Sequence, residues 1–328
     1  MTGSIGTADC GVDLSELAEA FDLPPLRVVE HRTGASGVWR LRTAHGDDLA
    51  LSSRSAASPQ VAAAISVASE LERRAADAGL DLVPYLRPKH PFVGLAARIR
   101  DRLVLLHEWV DTIPDIPDDV PPAWLGGTVA TLHSLWPVPD QKVQKHLARA
   151  YGIYPTSSWQ RWIDDADQAG LAWASDVAAS LPVIEEATRL SQSALDLDLP
   201  VVQSHRDLNP PNLLHTPTGY RLCDFGYAGP DIAWLEIVDA ALACTTEPAA
   251  TIDHYLAAGG NPGPRQVEAL ARTTSPMWLA RTIAASLGFA TASTPARGAA
   301  GAAIPEILLH LHHDIDTLDT TTATAFNL

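Results

Sequence analysis

The chain is short of lysine, of cysteine and of long apolar runs, and each shortage closes off a class of function. Only Lys89, Lys142 and Lys145 are lysines, so nearly every cation is an arginine. Acidic residues outnumber basic ones, 39 Asp and Glu against 23 Lys and Arg, for a formal net charge of −16. Such a field repels nucleic acid and anionic lipid and attracts cations, so neither a nucleic-acid nor a membrane partner is expected. The three cysteines, Cys10, Cys223 and Cys244, are scattered and odd in number. They make neither a disulfide framework nor a C-x-x-C zinc spacing and are read as reduced thiols without chemistry. No run of eighteen uncharged apolar residues occurs, and "MTGSIGTADCGVDLSELAEAFDL" holds no basic segment followed by an apolar one. Membrane spanning and secretion are therefore unsupported, and a cytoplasmic protein is expected. The absence of a G-x-S-x-G elbow removes a Ser-His-Asp hydrolase.

What is present is a chain of 328 residues, 46% of them hydrophobic, long enough for a substantial core and two lobes. Residues 13–21 read as a short amphipathic helix. The period then changes: 27–55 holds three β-rich runs separated by "TGASG" and "HGDD", the pattern of an antiparallel meander. A long helix over 58–78 follows, with Ser58 as N-cap, Pro59 at its first position and Gly79 near its C-cap. Two more strand-like runs, "FVGLAARIR" and "RLVLLHEWV", precede a Pro- and Asp-rich break, "DTIPDIPDDVPPAW". Beyond it helix dominates, over 157–177, 180–196, 230–247 and 304–318, with short strands between 200 and 226. The tail from about 319 is low in complexity and is expected to fray. The organisation predicted is α+β, with a β-rich lobe over 1–106, a connecting hinge at 107–112 and a helical lobe over 113–328.

One stretch carries chemistry: "SHRDLNPPNLL", followed by "LCDFG". Phosphoryl transfer needs groups that position an attacking hydroxyl and neutralise charge. Asp207 suits the first task, orienting the hydroxyl and accepting its proton. Asn212, five residues on, and Asp224 are hard oxygen donors of the kind Mg²⁺ takes alongside phosphate oxygens. "NLLHT" and "YRLCDF", hinged by "PTGY", bring the two together, and His205 is placed behind the loop to hold its backbone. The bland alternative for Asp207 and Asn212 is a turn, where Asp, Asn and Pro are favoured. Other features have their own bland accounts. In "HLHHD", His310 and His313 share a helix face but lack an obvious third ligand, so polar surface is the expectation. Trp124, Trp136, Trp159 and Trp162 are read mainly as core. Asp164, Asp165 and Asp167 either line a pocket for a cationic substrate or form a solvated face.

These residues resemble the catalytic core of the aminoglycoside phosphotransferase family, within the protein-kinase-like superfamily: an H-x-D-x-x-x-x-N loop, an Asp-Phe-Gly metal site and a following "AGPDIAW". Upstream, "LGGTVATLHSLW", "LLHEWVD" and "TGASGVWRLRTAHGDDLAL" resemble the family's helix ending in Leu-His, its hinge and its nucleotide loop with flanking strands. The resemblance implies a two-lobed kinase-like fold, ATP or GTP with Mg²⁺, and transfer of a γ-phosphoryl group to a hydroxyl of a small molecule, most often an antibiotic. It places Glu108 and Trp109 against the base and Ser36 in the nucleotide loop. It also exposes a departure. Where the family's third strand carries a phosphate-binding Lys, this chain has Ser52, and Arg54, two residues on and facing the same side, is the cation that could substitute. Glu72 and Glu70 compete for the partner position on the following helix, with Glu72 preferred from the spacing to "AGL". A second departure is Arg206, where the family commonly has Gly. Two alternatives stay open: a metabolite kinase acting on choline, homoserine or a sugar amine, and a nucleotide-binding pseudokinase suggested by Ser52.

Overall fold

The computed structural model describes residues 10–32, 38–56, 59–113, 119–136, 138, 151–197, 199–263, 276–289 and 294–326. The chain folds into two compact units, one formed by Met1–Val120, Thr131–Trp136 and Gln203–Gly229, the other by Pro121–Ala130, Pro137–Val202 and Pro230–Leu328. The fold class is α+β.

In the first unit, helix α1 (Leu14–Phe21) starts where the Asp13 side chain accepts hydrogen bonds from the backbone N–H groups of Ser15 and Glu16. Strands β1 (Leu26–Arg32), β2 (Val38–Thr43), β3 (Asp48–Ser55), β4 (Ala97–Ile99) and β5 (Arg102–Glu108) form an antiparallel sheet in the order β1-β2-β3-β5-β4. Strand alternation sorts its two faces. One carries Leu41, Leu49, Leu51, Val104 and Leu106, which join Leu17 and Phe21 of α1 in an apolar cluster. By the same alternation the other face carries Arg40, Ser52, Arg54, Leu103, Leu105 and His107. At the start of β3 Asp48 sits between two arginines of β2, accepting from Arg42 at 2.5 and 2.6 Å and from Arg40 Nε at 3.0 Å. Arg42 foremost, and Arg40 with it, hold the Asp48 carboxyl down at about 2 against the opposing effect of burial.

Helix α2 (Pro59–Asp77) ends at Gly79, whose φ of +81° lets its N–H reach the Ala76 carbonyl and that of Leu80 reach Ala75. Ser58, expected as its N-cap, lies outside the described residues. Far along the chain, the hairpin of β7 (Leu213–Thr216) and β8 (Gly219–Leu222), after β6 (Val201–Ser204), belongs to this first unit as well. The reason is backbone pairing: Val83 N–H donates to Leu222 O and Leu222 N–H to Asp81 O. A boundary drawn along the sequence at 107–112 therefore does not separate the catalytic-motif segment from the sheet.

The second unit is helical. Helix α3 (Pro122–Ser134) begins in it, and α4 (Thr156–Gln168), α5 (Ala174–Ala179), α6 (Leu181–Asp196), α7 (Ala233–Cys244), α8 (Pro248–Ala257), α9 (Met277–Ser286) and α10 (Thr294–Phe326) belong to it. Trp159, Ile163, Trp173, Val177, Ile184, Ile283, Ile304 and Leu308 form its core. Three expectations are corrected. The helix expected over 157–177 breaks at Gly170, whose φ of +66° closes α4 with bonds from Gly170 to Asp167 and from Leu171 to Ala166. A short strand, β9 (Gly229–Ile232), precedes α7, so "AGPDIAW" does not run directly into helix. The last helix starts at Thr294, passes through Pro305 and continues to Phe326, so the tail from 319 extends it rather than fraying. No helix among the described residues is long and apolar enough to cross a membrane.

Two predictions follow from this packing. A Cβ on Gly126 would stand 2.5 Å from the Thr251 carbonyl oxygen, whereas one on Gly127 meets nothing within 4 Å. Gly126→Ala should lower stability by about 1–3 kcal/mol, and Gly127→Ala should be neutral or raise it by up to about 1 kcal/mol; denaturant melts of the two single variants compare them directly. Asp48 has a depressed carboxyl, so the stability it contributes is present above its ordinary value of 3.8 and is lost as pH falls toward about 2. Acid unfolding of Asp48→Asn should accordingly be less steep through that window than that of the parent chain.

Candidate active site

The loop after β6 is built by two local features. Arg206 takes a left-handed φ of 65°, and Asp224 one of 57°, two of the four non-glycine residues with positive φ among those described. Backbone strain of this kind concentrates at functional sites. Pro210 and Pro211, with φ fixed near the helical value, enter a 3₁₀ turn that ends on Asn212, and Asn212 N–H closes it on Asn209 O at 2.9 Å. The turn swings Asn212 back over Asp207. Its Nδ2 donates to Asp207 Oδ2 at 2.9 Å and to the Asp207 carbonyl at 2.8 Å, while Asn209 Nδ2 donates to Oδ1 at 2.9 Å. Both carboxylate oxygens of Asp207 are thus held by amide donors.

The hairpin delivers the rest. Leu213 pairs with Leu222, and one step further Cys223 N–H donates to the Asn212 carbonyl at 3.0 Å, so Asp224 follows directly on the residue bonded to Asn212. Asp224 Oδ1 accepts from Gly226 N–H at 3.2 Å. Asn212 has spent both amide hydrogens on Asp207, which leaves its Oδ1 as the atom able to face a cation. It and the carboxylate oxygens of Asp224 are hard donors of the kind that could hold Mg²⁺, an ion that completes its shell from phosphate and water. Among the described residues no group of three or more His, Cys, Asp or Glu could hold a metal ion by itself, the "HLHHD" residues included.

His205 is fully buried behind this loop. Its Nε2–H donates to the Cys223 carbonyl at 3.0 Å, and its ring meets Phe225 edge-on with centroids 4.7 Å apart. Cys223 itself is pushed up to about 12 by burial and by the negative charges of Asp224, Glu72 and Asp207, so it stays a thiol.

On the sheet side, a cavity of about 150 Å³ is lined by Ser52, Arg54, Glu72, His107, Asp224 and Gly226, with apolar residues of α2 behind them. A Cβ on Gly226 would lie 2.8 Å from Arg54 Nη2 and 2.9 Å from Asp224 Oδ1. The glycine of Asp-Phe-Gly is what lets the guanidinium lie against this loop. Glu72 is only 4% exposed and its Oε1 is 2.9 Å from His107 Nε2. Burial works against a charged His107, but the Glu72 carboxylate outweighs it and holds the imidazole above its usual range. Glu70 turns away, bound to Arg73 at 2.8 Å and Arg74 at 2.7 Å.

Ser36 lies outside the described residues. At the end of β5, Glu108 is exposed, and its N–H donates to Pro84 O at 2.8 Å; the N–H of Trp109 donates to Asp48 O at 3.0 Å. Those two N–H groups are therefore committed to the protein. Arg40 also covers the Trp109 ring, 4.7 Å from its centroid. The next residue, Val110, makes no hydrogen bond with a described residue. The sequence reading placed His107 in the hinge and overlooked it as the partner of Glu72. A signal for His107 existed, since it has the same strand parity as Leu105 and Leu103.

Asp164, Asp165 and Asp167 are exposed on α4, opposite its buried Trp159, Ile163 and Ala166, and are a solvated face. Trp159 is core at 1% exposure, Trp162 packs on that core, and Trp136 lies under the Arg74 guanidinium.

No curated protein sequence matches the chain. Solved structures do match. An aminoglycoside phosphotransferase from Alicyclobacillus acidocaldarius is 16% identical, with a TM-score of 0.55 over 98% of this chain and 97% of that one. A spectinomycin phosphotransferase in complex with ADP and spectinomycin is 9% identical, with a TM-score of 0.61 over 95% and 97%. An amicoumacin kinase in complex with AMP-PNP and Ca²⁺ is 14% identical, with a TM-score of 0.51 over 89% and 92%. At these identities the likeness is one of fold. The family comes from the sequence itself: the profile of the phosphotransferase enzyme family matches residues 27–270, and the chain belongs to that family.

Proposed function

We propose that this protein transfers the γ-phosphoryl group of ATP or GTP to a hydroxyl of a small molecule, an aminoglycoside-like or other antibiotic. The observation that carries the reading is the Asp207 carboxylate, fixed by two amide hydrogen bonds, beside Asn212 Oδ1 and the Asp224 carboxylate at the open end of one hairpin. Asp207 orients the acceptor hydroxyl and takes its proton as the oxygen–phosphorus bond forms. The bond between the γ-phosphorus and the bridging oxygen breaks, and the nucleoside diphosphate leaves. Asn212 and Asp224 would hold Mg²⁺, which would neutralise phosphate charge when bound. Arg54 supplies a further positive group, and positioning with charge stabilisation accounts for most of the acceleration in such transfers. The net charge of −16 suits a cationic acceptor.

The test is turnover of ATP and GTP with Mg²⁺ over a panel of aminoglycoside, macrolide, peptide-antibiotic and amino-alcohol acceptors, read by product mass. A gain of one phosphate on an antibiotic supports the proposal, and a gain only on choline, homoserine or a sugar amine replaces it with a metabolite kinase. Nucleotide binding without transfer to any acceptor makes the chain a pseudokinase. Asp207→Ala should reduce turnover by about 10²–10⁴-fold while nucleotide affinity is kept, as calorimetry would show. Asn212→Ala should instead raise the Mg²⁺ concentration needed for half-maximal rate.

A further inference from the structure

Glu72 presents a problem that the chain solves in its own way. A carboxylate as buried as this one is costly unless a partner meets it. The strand residue expected to do so is Ser52, which carries no charge. The partner is His107, on a different strand, at 2.9 Å. In the sheet Ser52 lies opposite Leu105 and Ala50 opposite His107, so His107 is the diagonal neighbour of Ser52 on the same face. Arg54 lies opposite Leu103, one step the other way. Its side chain makes no hydrogen bond or ion pair with any described residue, and its guanidinium rests on Gly226 beside Asp224. Ser52, Arg54, Glu72 and His107 all line one cavity.

In kinases a single strand lysine both holds the helix glutamate and touches phosphate. We propose that this chain divides those duties between two residues: His107 holds Glu72, and Arg54, released from pairing, contacts the nucleotide phosphates. The proposal rests on the phosphotransferase reading above. Glu72 and His107 form a positioning pair that touches no substrate; they satisfy the buried carboxylate, so that Arg54 is not drawn toward the helix. Ser52, small and uncharged, leaves the cavity clear for the guanidinium. Arg54 suits the other half of the division, because a guanidinium stays charged and offers several donors to phosphate oxygens.

The test uses calorimetric affinity for a non-hydrolysable ATP or GTP analogue with Mg²⁺, together with steady-state kinetics. Arg54→Ala should weaken nucleotide binding by about ten- to a hundredfold, the size of a lost charge-assisted hydrogen bond. His107→Leu should lower kcat/KM for nucleotide while the KM for acceptor stays unchanged. Adding Ser52→Lys to either variant should recover most of the loss, since one lysine can then perform both duties. If His107→Leu does not fold because its carboxylate is stranded, His107→Gln takes its place in the same comparison. Parent-like nucleotide affinity in Arg54→Ala, or no recovery from Ser52→Lys in folded variants, would overturn the division. A parent chain that binds neither nucleotide removes the phosphotransferase reading itself, an outcome distinct from both.

Discussion

The hydrogen bond from Cys223 N–H to the Asn212 carbonyl is the contact on which the site depends. It is one rung beyond the β7–β8 pairing, and it brings together two segments whose chemistry lies on either side of a tight turn. Through it the 3₁₀ turn that carries Asn212 is locked to the strand leading into Asp224. His205 reinforces the same point from behind, since its ring donates to the Cys223 carbonyl. Both backbone polar groups of Cys223 are thus committed to the catalytic loop. The left-handed conformation of Asp224 is held in place by this clamp, with a further bond that its own side chain accepts from Gly226 N–H. Strain at such a residue persists only where its surroundings over-determine it.

Charge is the second constraint. The chain is strongly acidic yet carries only three lysines, and three of its carboxylates in the first unit are met by arginine or histidine. Asp48 is forked by Arg42 and reached by Arg40, Glu70 is gripped by Arg73 and Arg74, and Glu72 is met by His107. Arginine serves such positions well, because its planar fork matches a carboxylate and it gives up hydration more readily than an ammonium. Against this background Arg54 stands out: a half-buried guanidinium at the lip of a cavity, with no carboxylate bonded to it among the described residues. Glu72, the buried carboxylate that lines the same cavity, already has a partner in His107.

The second unit answers a different demand. Its helices bury a dense aromatic and aliphatic core around Trp159 and Trp173, and the acidic residues of α4 face outward from it. Trp159 shows how strongly packing sets the role of a large aromatic: it is 1% exposed and edge-on to Trp162 at 5.1 Å. Such contacts make an interior, and they explain most of the tryptophan in the "WQRWIDDAD" stretch without reference to a substrate.

The candidate triplet was legible in the sequence because its geometry is local. Asp207, Asn212 and Asp224 lie within eighteen residues, and a proline turn and a hairpin, both written in residue types, suffice to bring them together. The α+β class and the antiparallel meander were legible for the same reason, since period and turn chemistry are properties of short windows. Other features depend on partners far along the chain. Helix spacing separates the faces of Glu70 and Glu72 but does not say which face meets the sheet; only packing of α2 turned Glu72 inward, to a histidine thirty-five residues away. The commitment of the Glu108 and Trp109 N–H groups likewise required the crossing segments at Pro84 and Asp48. Even the last helix ran past its compositional signs, because a helix already nucleated extends at little cost through residues that would not start one. Residue type and spacing determined what chemistry this protein can hold. The tertiary structure alone decided how buried carboxylates such as Glu72 are partnered, because those partners lie far away along the chain.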